Sequence, residues 1–238
     1  MPPPLKHRVK RLLRHIRRNL YGIRSVIPGL REIHRIEKMV GPLGFFKELK
    51  SYHLQILTQN GLQPHHKLLD MGCGPLLGGI DFINYLQAGN YVGFDLEPNR
   101  IEVGNSLISK YKLLGKKPRI FVSRDFGQSE LGDEKFDFIW ASQMLYYFDD
   151  RVLAEILGVA KDHMSIGGKF LGDVFELDHY EFKYPELGKY IRHTPESIQR
   201  VCEKVGLQSK LLGTIEEFGY PKKLSLRKNL LFEITHAR

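Results

Sequence analysis

The sequence has few cysteines and no long hydrophobic run. It contains only two cysteines, Cys73 and Cys202, in 238 residues, which excludes a disulfide framework and fits a reducing compartment. No apolar run approaches the roughly 18 residues that a membrane-spanning helix requires. The length suits one large domain with an appendage, whereas two full domains would be cramped.

Acidic residues are nearly missing from the first quarter of the chain. Residues 1–60 carry 13 Lys and Arg against three Glu, a net charge of +10. The rest of the chain carries 23 basic and 24 acidic side chains, a net charge of −1. The whole formal excess of +9 therefore belongs to the N-terminal segment.

Residues 5–24 hold eight basic residues and no acid. If residues 5–24 are wound as a helix at about 100° per residue, their Leu, Ile and Val side chains fall within one arc of the helix. Every Lys and Arg lies outside that arc. This pattern predicts a basic amphipathic helical arm within residues 1–41. An anionic membrane surface is its favoured partner. The alternatives are phosphate-rich nucleic acid, an organelle-targeting role, and packing on the core.

Beyond the arm, short apolar runs alternate with amphipathic stretches. Helices are predicted at 42–60, 78–87, 98–112, 150–164 and 195–204. Strands are predicted at 67–71, 90–95, 118–123, 136–141, 168–173, 207–215 and 228–235. The link between the last two strands is too short for a helix, which predicts an antiparallel hairpin. The fold class is therefore α/β, with a doubly wound, mostly parallel seven-stranded sheet and an antiparallel C-terminal hairpin.

One glycine-rich turn carries the most functional information. A buried-strand pattern ends in Asp70, and the chain then turns through Gly72 and Gly74, which permit positive φ and close approach of a ligand. The next strand ends in Asp95, 23 residues after Gly72. An acid at this position hydrogen-bonds both ribose hydroxyls of a bound nucleoside. The spacing therefore predicts a nucleoside-binding site.

The chemistry of the turn favours S-adenosylmethionine over a dinucleotide. A dinucleotide fingerprint requires a glycine where this chain has Leu77, and Pro75 removes one N–H group that would face a pyrophosphate. Asp70 would repel a pyrophosphate but suits a cation. S-adenosylmethionine carries an adenosine, an ammonium group and a sulfonium, and no phosphate.

Four segments resemble the motifs of class I S-adenosylmethionine-dependent methyltransferases. They are residues 69–75, 92–95, 123–126 and 136–145, and the similarity runs from about Tyr52 to the C-terminus. The chain departs from the family at Leu76, where many members have a third glycine. The resemblance implies a methyltransferase domain over residues 42–238, with S-adenosylmethionine as cofactor. It also implies donor-binding roles for Asp70, Gly72, Cys73, Gly74, Asp95, Leu96, Asp125, Phe126, Ser142 and Gln143.

The acceptor is expected beyond the carboxyl ends of the fourth and fifth strands. The aromatic-rich stretch 174–193 is predicted to form a lid there, with an extra packing layer as the alternative. Methyl transfer requires orientation and exclusion of water, and a general base helps an oxygen or nitrogen acceptor. His193 and His179 are the candidate bases, and Asp173 is a further possible base. Tyr146 is a candidate pocket residue with a hydrogen bond to the acceptor. We expect Tyr146, Tyr147 and His193 to face one cavity.

Three functions are consistent with these features. The leading hypothesis is methyl transfer to an oxygen or nitrogen atom of a small-molecule, sugar or lipid-linked acceptor. The second is an RNA methyltransferase that uses the basic arm, although residues 141–144 lack the Asp/Asn-Pro-Pro-aromatic motif of amino-methylating nucleic-acid enzymes. The third is a non-catalytic cofactor-binding scaffold. No metal is predicted. The expected location is the cytoplasm, with membrane association through the arm and organelle targeting as alternatives.

Overall fold

The computed structural model describes residues 39, 46–176, 191–221 and 228–237. The predicted N-terminal arm, including residues 5–24, lies outside the described residues, as do residues 177–190 of the predicted lid. Within the described ranges, no helix is both long and apolar enough to cross a membrane.

Seven strands and six α-helices make up the described fold. The strands are β1 (Leu68–Met71), β2 (Tyr91–Asp95), β3 (Arg119–Val122), β4 (Phe136–Ala141), β5 (Met164–Glu176), β6 (Leu207–Thr214) and β7 (Lys228–His236). The helices are α1 (Phe46–Gln59), α2 (Gly79–Tyr85), α3 (Pro98–Lys110), α4 (Gln128–Leu131), α5 (Asp150–His163) and α6 (Pro195–Lys204). Short 3₁₀ turns occupy Leu114–Lys116 and Leu145–Tyr147.

The strands form one sheet in the order β3-β2-β1-β4-β5-β7-β6. The first five strands pair in parallel, and β7 lies antiparallel between β5 and β6. The predicted fold class is therefore confirmed, including the antiparallel β6–β7 hairpin. The central strands β1 and β2 are buried along their whole length, as expected where helices cover both faces of a parallel sheet.

Helices pack on both faces of this sheet. On one face, apolar side chains of β1 and β4 join those of α5 and α6 in a continuous core that includes the buried thiol of Cys202. On the other face, α1 lies over the sheet, and His53 of α1 meets Trp140 of β4 edge-on at 5.8 Å between ring centroids.

Two helices begin at side-chain caps. Asp149 accepts a hydrogen bond from the backbone N–H of Val152 at 2.9 Å and begins α5. Thr194 caps α6 with Pro195 as the first helical residue, and Ser197 completes a reciprocal capping box.

The strand β5 is longer than predicted. It begins at Met164 rather than at residue 168, because the chain passes through Gly167 and Gly168 without leaving the sheet. The register between β4 and β5 shifts at this point, and Gly167 takes a φ of +80°. At its other end β5 continues to Glu176, so residues 174–176 of the predicted lid belong to the sheet.

Candidate functional site

The carboxyl ends of β1, β2 and β4 meet at one edge of the sheet. The strand order reverses at β1, because β2 lies on one side of β1 in the sheet and β4 lies on the other. A crevice opens at this topological switch point. The loops that follow these strands contain most of the predicted donor-binding residues.

The turn after β1 is fixed by backbone geometry. Gly72 and Gly74 have φ values of +70° and +55°, which only glycine adopts readily. The N–H of Cys73 donates to the carbonyl of Phe94 at 2.9 Å, which ties the turn to the end of β2. A Cβ on Gly72 would lie 2.9 Å from the sulfur of Met144, so the turn also lies against the loop that follows β4.

Asp95 is a buried carboxylate at the centre of the crevice. Its Oδ2 accepts the N–H of Gly74 at 3.0 Å, and its Oδ1 accepts the N–H of Glu97 at 2.9 Å. Arg100 forms an ion pair with it at 3.4 Å. The next residue, Leu96, is 58% exposed, which places an apolar side chain at the mouth of the crevice.

Asp70 lies beneath the turn and is also buried. Tyr91 donates its hydroxyl hydrogen to Oδ2 of Asp70 at 2.7 Å. Burial raises the pKa of Asp70 to about 7, and the hydrogen bond from Tyr91 acts in the opposite direction. Near neutral pH this carboxyl group is therefore close to its point of half-ionisation, where a nearby cation would favour the charged form.

The two unusual residues of the turn have structural explanations. Cys73 is buried, and burial raises the pKa of its thiol well above the ordinary value, which keeps it protonated and unreactive. Leu76 adopts a φ of +63° at the position where the resemblance leads one to expect glycine. The Leu76 side chain fits because its neighbours Gly79 and Gly104 have no side chains. A Cβ atom added to Gly79 would lie 2.7 Å from Leu76, and a Cβ atom added to Gly104 would lie 3.1 Å from it.

The loop after β3 places a second carboxylate beside an aromatic ring. Asp125 accepts hydrogen bonds from the Ser129 hydroxyl and from the Ser123 hydroxyl, the latter at 2.8 Å. These bonds, with Ser129 contributing most, hold the pKa of Asp125 below its usual value. Phe126 packs edge-on against Phe148 at 5.7 Å between ring centroids.

The loop after β4 is held by hydrogen bonds from three other elements. Gln143, at a φ of +55°, donates its backbone N–H to Asp173 of β5 at 2.9 Å and its side-chain amide to the Tyr52 hydroxyl at 3.1 Å. Tyr52 of α1 also bonds the Ser142 hydroxyl at 3.2 Å. Asn229 of β7 donates to the other oxygen of Asp173 at 3.0 Å.

Asp173 itself is fully buried. Burial raises its pKa to about 6, while the bonds from Gln143, Ser142 and Asn229 act to lower the pKa. The predicted candidate base is therefore a carboxylate enclosed by polar side chains.

Tyr146 and Tyr147 point to different surroundings. Tyr146 is buried and stacks on Phe175 with 3.7 Å between ring centroids and an angle of 11°. Tyr147 is 44% exposed. The N–H of Ile191 donates to the carbonyl of Tyr146 at 2.7 Å, which ties the end of the predicted lid to this loop.

His193 is a buried residue beside the end of β5. Its ring is fully buried: Nε2 donates to the carbonyl of Phe148 at 2.9 Å, and Nδ1 lies 3.5 Å from Asp150. Its backbone N–H donates to the carbonyl of Phe175 at 3.2 Å. Its role as a base, and a cavity shared with Tyr146 and Tyr147, stay predictions.

Sequence patterns missed Tyr52 and Asn229. Each comes from an element far along the chain, and no motif marks either as a site residue. Among the described residues, no cluster of His, Cys, Asp and Glu could hold a metal ion.

Comparison with known proteins agrees with this geometry. Residues 68–168 match the family model of a methyltransferase domain. No curated protein sequence gives a significant match to the chain.

Solved structures share the fold at low sequence identity. A magnesium protoporphyrin IX methyltransferase from Synechocystis PCC 6803, with S-adenosylmethionine bound, is 14% identical over 88% of this chain and 92% of its own, with a TM-score of 0.58. An S-adenosylmethionine-dependent methyltransferase from Clostridium acetobutylicum ATCC 824 is 15% identical over 87% and 98%, with a TM-score of 0.62. An N-methyltransferase from Haemonchus contortus, in complex with phosphomonomethylethanolamine and S-adenosylhomocysteine, is 17% identical over 77% and 52%, with a TM-score of 0.59.

The sheet order and the glycine-rich crevice define a Rossmann-like methyltransferase fold. Residues 68–168 match a methyltransferase domain, and structures of the same fold were solved with S-adenosylmethionine or S-adenosylhomocysteine bound; together these findings support an enzyme that uses S-adenosylmethionine as its cofactor.

Proposed function

We propose that this enzyme transfers the methyl group of S-adenosylmethionine to an oxygen or nitrogen atom of a small-molecule acceptor, with sugars and lipid-linked molecules included. The observation that carries the proposal is the crevice itself, in which the turn at Gly72 adjoins the loop at Gln143. Two of the similar structures involve small molecules. One is named for magnesium protoporphyrin IX, and the other contains bound phosphomonomethylethanolamine.

In this proposal the adenosine half of the donor lies along the ends of β2 and β3. The buried carboxylate of Asp95 accepts hydrogen bonds from the ribose hydroxyls, which are donors. Asp125, ionised and fixed by its serine partners, accepts from the adenine amino group. Leu96, which is 58% exposed, and Phe126 offer apolar surface to the adenine ring.

The methionyl half lies over the ends of β1 and β4. Asp70 complements the ammonium group, and the turn from Gly72 through Cys73 to Gly74 leaves room for the chain of the donor. Ser142 and Gln143 border the methyl group from the other side. The positive charge of the ammonium group, held close to Asp70, favours the ionised form of this carboxyl group.

The acceptor enters from the ends of β4 and β5, beside Tyr146, Tyr147 and Asp173. The carbon–sulfur bond breaks as the new carbon–oxygen or carbon–nitrogen bond forms, and the acceptor loses its proton. Because the sulfonium is already a good leaving group, the protein mainly aligns the two molecules and excludes water.

Replacement of Asp95 tests the placement of the donor. Asp95→Ala should weaken binding of S-adenosylmethionine by about 1.5–3 kcal/mol, because it removes an acceptor of charge-assisted hydrogen bonds. Isothermal titration calorimetry measures the change, with Glu102→Ala on the exposed side of α3 as the matched control. Unaltered binding by Asp95→Ala, or binding of NAD in place of S-adenosylmethionine, would contradict the proposal.

A further inference from the structure

Asp173 is a buried carboxylate whose described partners are all neutral. No Lys, Arg or His in the described part of the chain forms an ion pair with it. Its hydrogen-bond donors are the backbone of Gln143 and the side chains of Ser142 and Asn229. Burying a negative charge of this kind costs free energy unless a nearby positive charge compensates it.

The same carboxylate holds the loop after β4 in a conformation that is unfavourable without support. Gln143 is in the left-handed region, where a residue other than glycine needs its surroundings to keep it. Asp173 bonds its backbone, and Tyr52 bonds its side chain. Ser142, between Tyr52 and Asp173, interacts with both. These hydrogen bonds to Gln143 and Ser142 fix the position of the negative charge of Asp173.

The charge lies close to the place of the donor's sulfur. Asp173 contacts Gln143 directly, and the next residue, Met144, lies against Gly72 of the donor turn. The carboxylate is therefore separated from the donor turn by a single short loop.

We infer that Asp173, framed by Tyr52, Ser142 and Gln143, supplies the negative charge that complements the donor's sulfonium. The inference depends on the placement of the donor given under Proposed function. During transfer the positive charge moves from sulfur to the attacking atom, and it leaves with the proton of the acceptor. The product, S-adenosylhomocysteine, has a neutral thioether, so the site binds the substrate donor in preference to the product.

This arrangement also specifies the acceptor as a neutral amine or hydroxyl. A neutral nucleophile becomes positive as it is methylated, and the carboxylate stabilises that charge. An anionic nucleophile would be repelled by the same group. In this inference Asp173 acts as a positioning and electrostatic residue.

The ratio of the two dissociation constants, for S-adenosylhomocysteine and for S-adenosylmethionine, isolates this effect. Asp173→Asn should lower the ratio by about tenfold, because the charge is removed near the sulfur while groups that touch the shared parts of both ligands are unchanged. Asp137→Asn is the matched control, since Asp137 is a carboxylate on the neighbouring strand β4 whose partner, the N–H of Lys67, lies at the opposite end of the sheet. It should leave the ratio unchanged.

The pH dependence of the wild-type ratio gives a second test that needs no variant. Protonation of Asp173 as the pH falls through about 6 should reduce the preference for S-adenosylmethionine. Among the described residues, the other titratable groups that act on Asp173 are Tyr52, Tyr220 and Glu216. Burial raises the pKa values of the two tyrosines, so they stay neutral in this range. Asp70 faces the ammonium group, which both ligands carry, and its titration cancels in the ratio.

The outcomes separate this inference from the proposed function. If S-adenosylhomocysteine binds Asp173→Asn as it binds the wild type, the variant is folded, and an unchanged ratio would overturn the inference while leaving the donor site in place. If the variant fails to fold, a wild-type ratio that is constant between pH 5 and pH 8 overturns it instead. Loss of all donor binding in the wild type would refute the proposed placement of the donor.

Discussion

At the scale of single residues, the hydrogen that glycine has in place of a side chain decides how closely two loops approach. Gly72 combines a positive φ with contact to Met144, so any substitution there adds backbone strain and a steric overlap. Gly89 has a φ of +85° with nothing within 4 Å of its Cβ position, so a substitution there adds strain alone.

This difference predicts distinct outcomes for the same change. Gly89→Val should destabilise the fold by about 1–2 kcal/mol and leave donor binding unchanged. Gly72→Val should cost more stability and abolish measurable binding of S-adenosylmethionine, because the side chain displaces Met144 and fills ligand space. Urea unfolding and calorimetry measure the two effects, and equal donor affinity in both variants would contradict this account.

Residues on the donor side could be predicted because they lie within a few positions of a strand end. Asp70, Gly72 and Asp95 are local to β1 and β2, and the chain order places them together. Tyr52 could not be predicted in this way, since its bond to Gln143 joins residues 91 positions apart. The bond from the His193 ring to the carbonyl of Phe148 could not be predicted either, because these residues are 45 positions apart.

At the scale of elements, the local caps that the sequence specifies set the helix boundaries. Thr194→Ala should lower the free energy of unfolding by about 1 kcal/mol, since the N–H of Ser197 loses its partner. Thr194→Ser retains the hydroxyl and should restore most of the stability. Chemical denaturation checks both variants, and equal destabilisation by the two would show that the methyl group of Thr194, not its cap, is responsible.

Strand prediction succeeded for the first four strands. The ends of β1 to β4 lie within one residue of the predicted positions, because a short apolar run marks each of them. Prediction failed for the start of β5, where Gly167 and Gly168 resemble a turn but remain in the sheet through a change of register. The four-residue helix α4 was missed because one turn is too short to show a period.

At the scale of the whole molecule, charge is concentrated in residues 1–60, with a net value of +10 against −1 elsewhere. We propose that residues 5–24 dock on an anionic membrane surface with their apolar arc towards the lipid. The catalytic domain would then act on acceptors at or near that surface.

Sedimentation with lipid vesicles tests the arm. The full chain should sediment with vesicles that contain phosphatidylserine at low salt and dissociate as salt rises. A chain that begins near Gly41 should stay in the supernatant and still bind S-adenosylmethionine. Equal sedimentation of both chains would remove the proposal, and tight RNA binding that is lost on the same truncation would favour an RNA substrate.

The position of β7 has a consequence for how the sheet is completed. This strand is the last of the seven in chain order, yet it lies inside the sheet, between β5 and β6. As a nascent chain emerges, β5 keeps a bare edge and β6 has no neighbour until residues 228–236 are synthesised. A translation product that stops before Lys228 would expose both edges to other chains, so the greatest risk of misassembly comes late in synthesis rather than early.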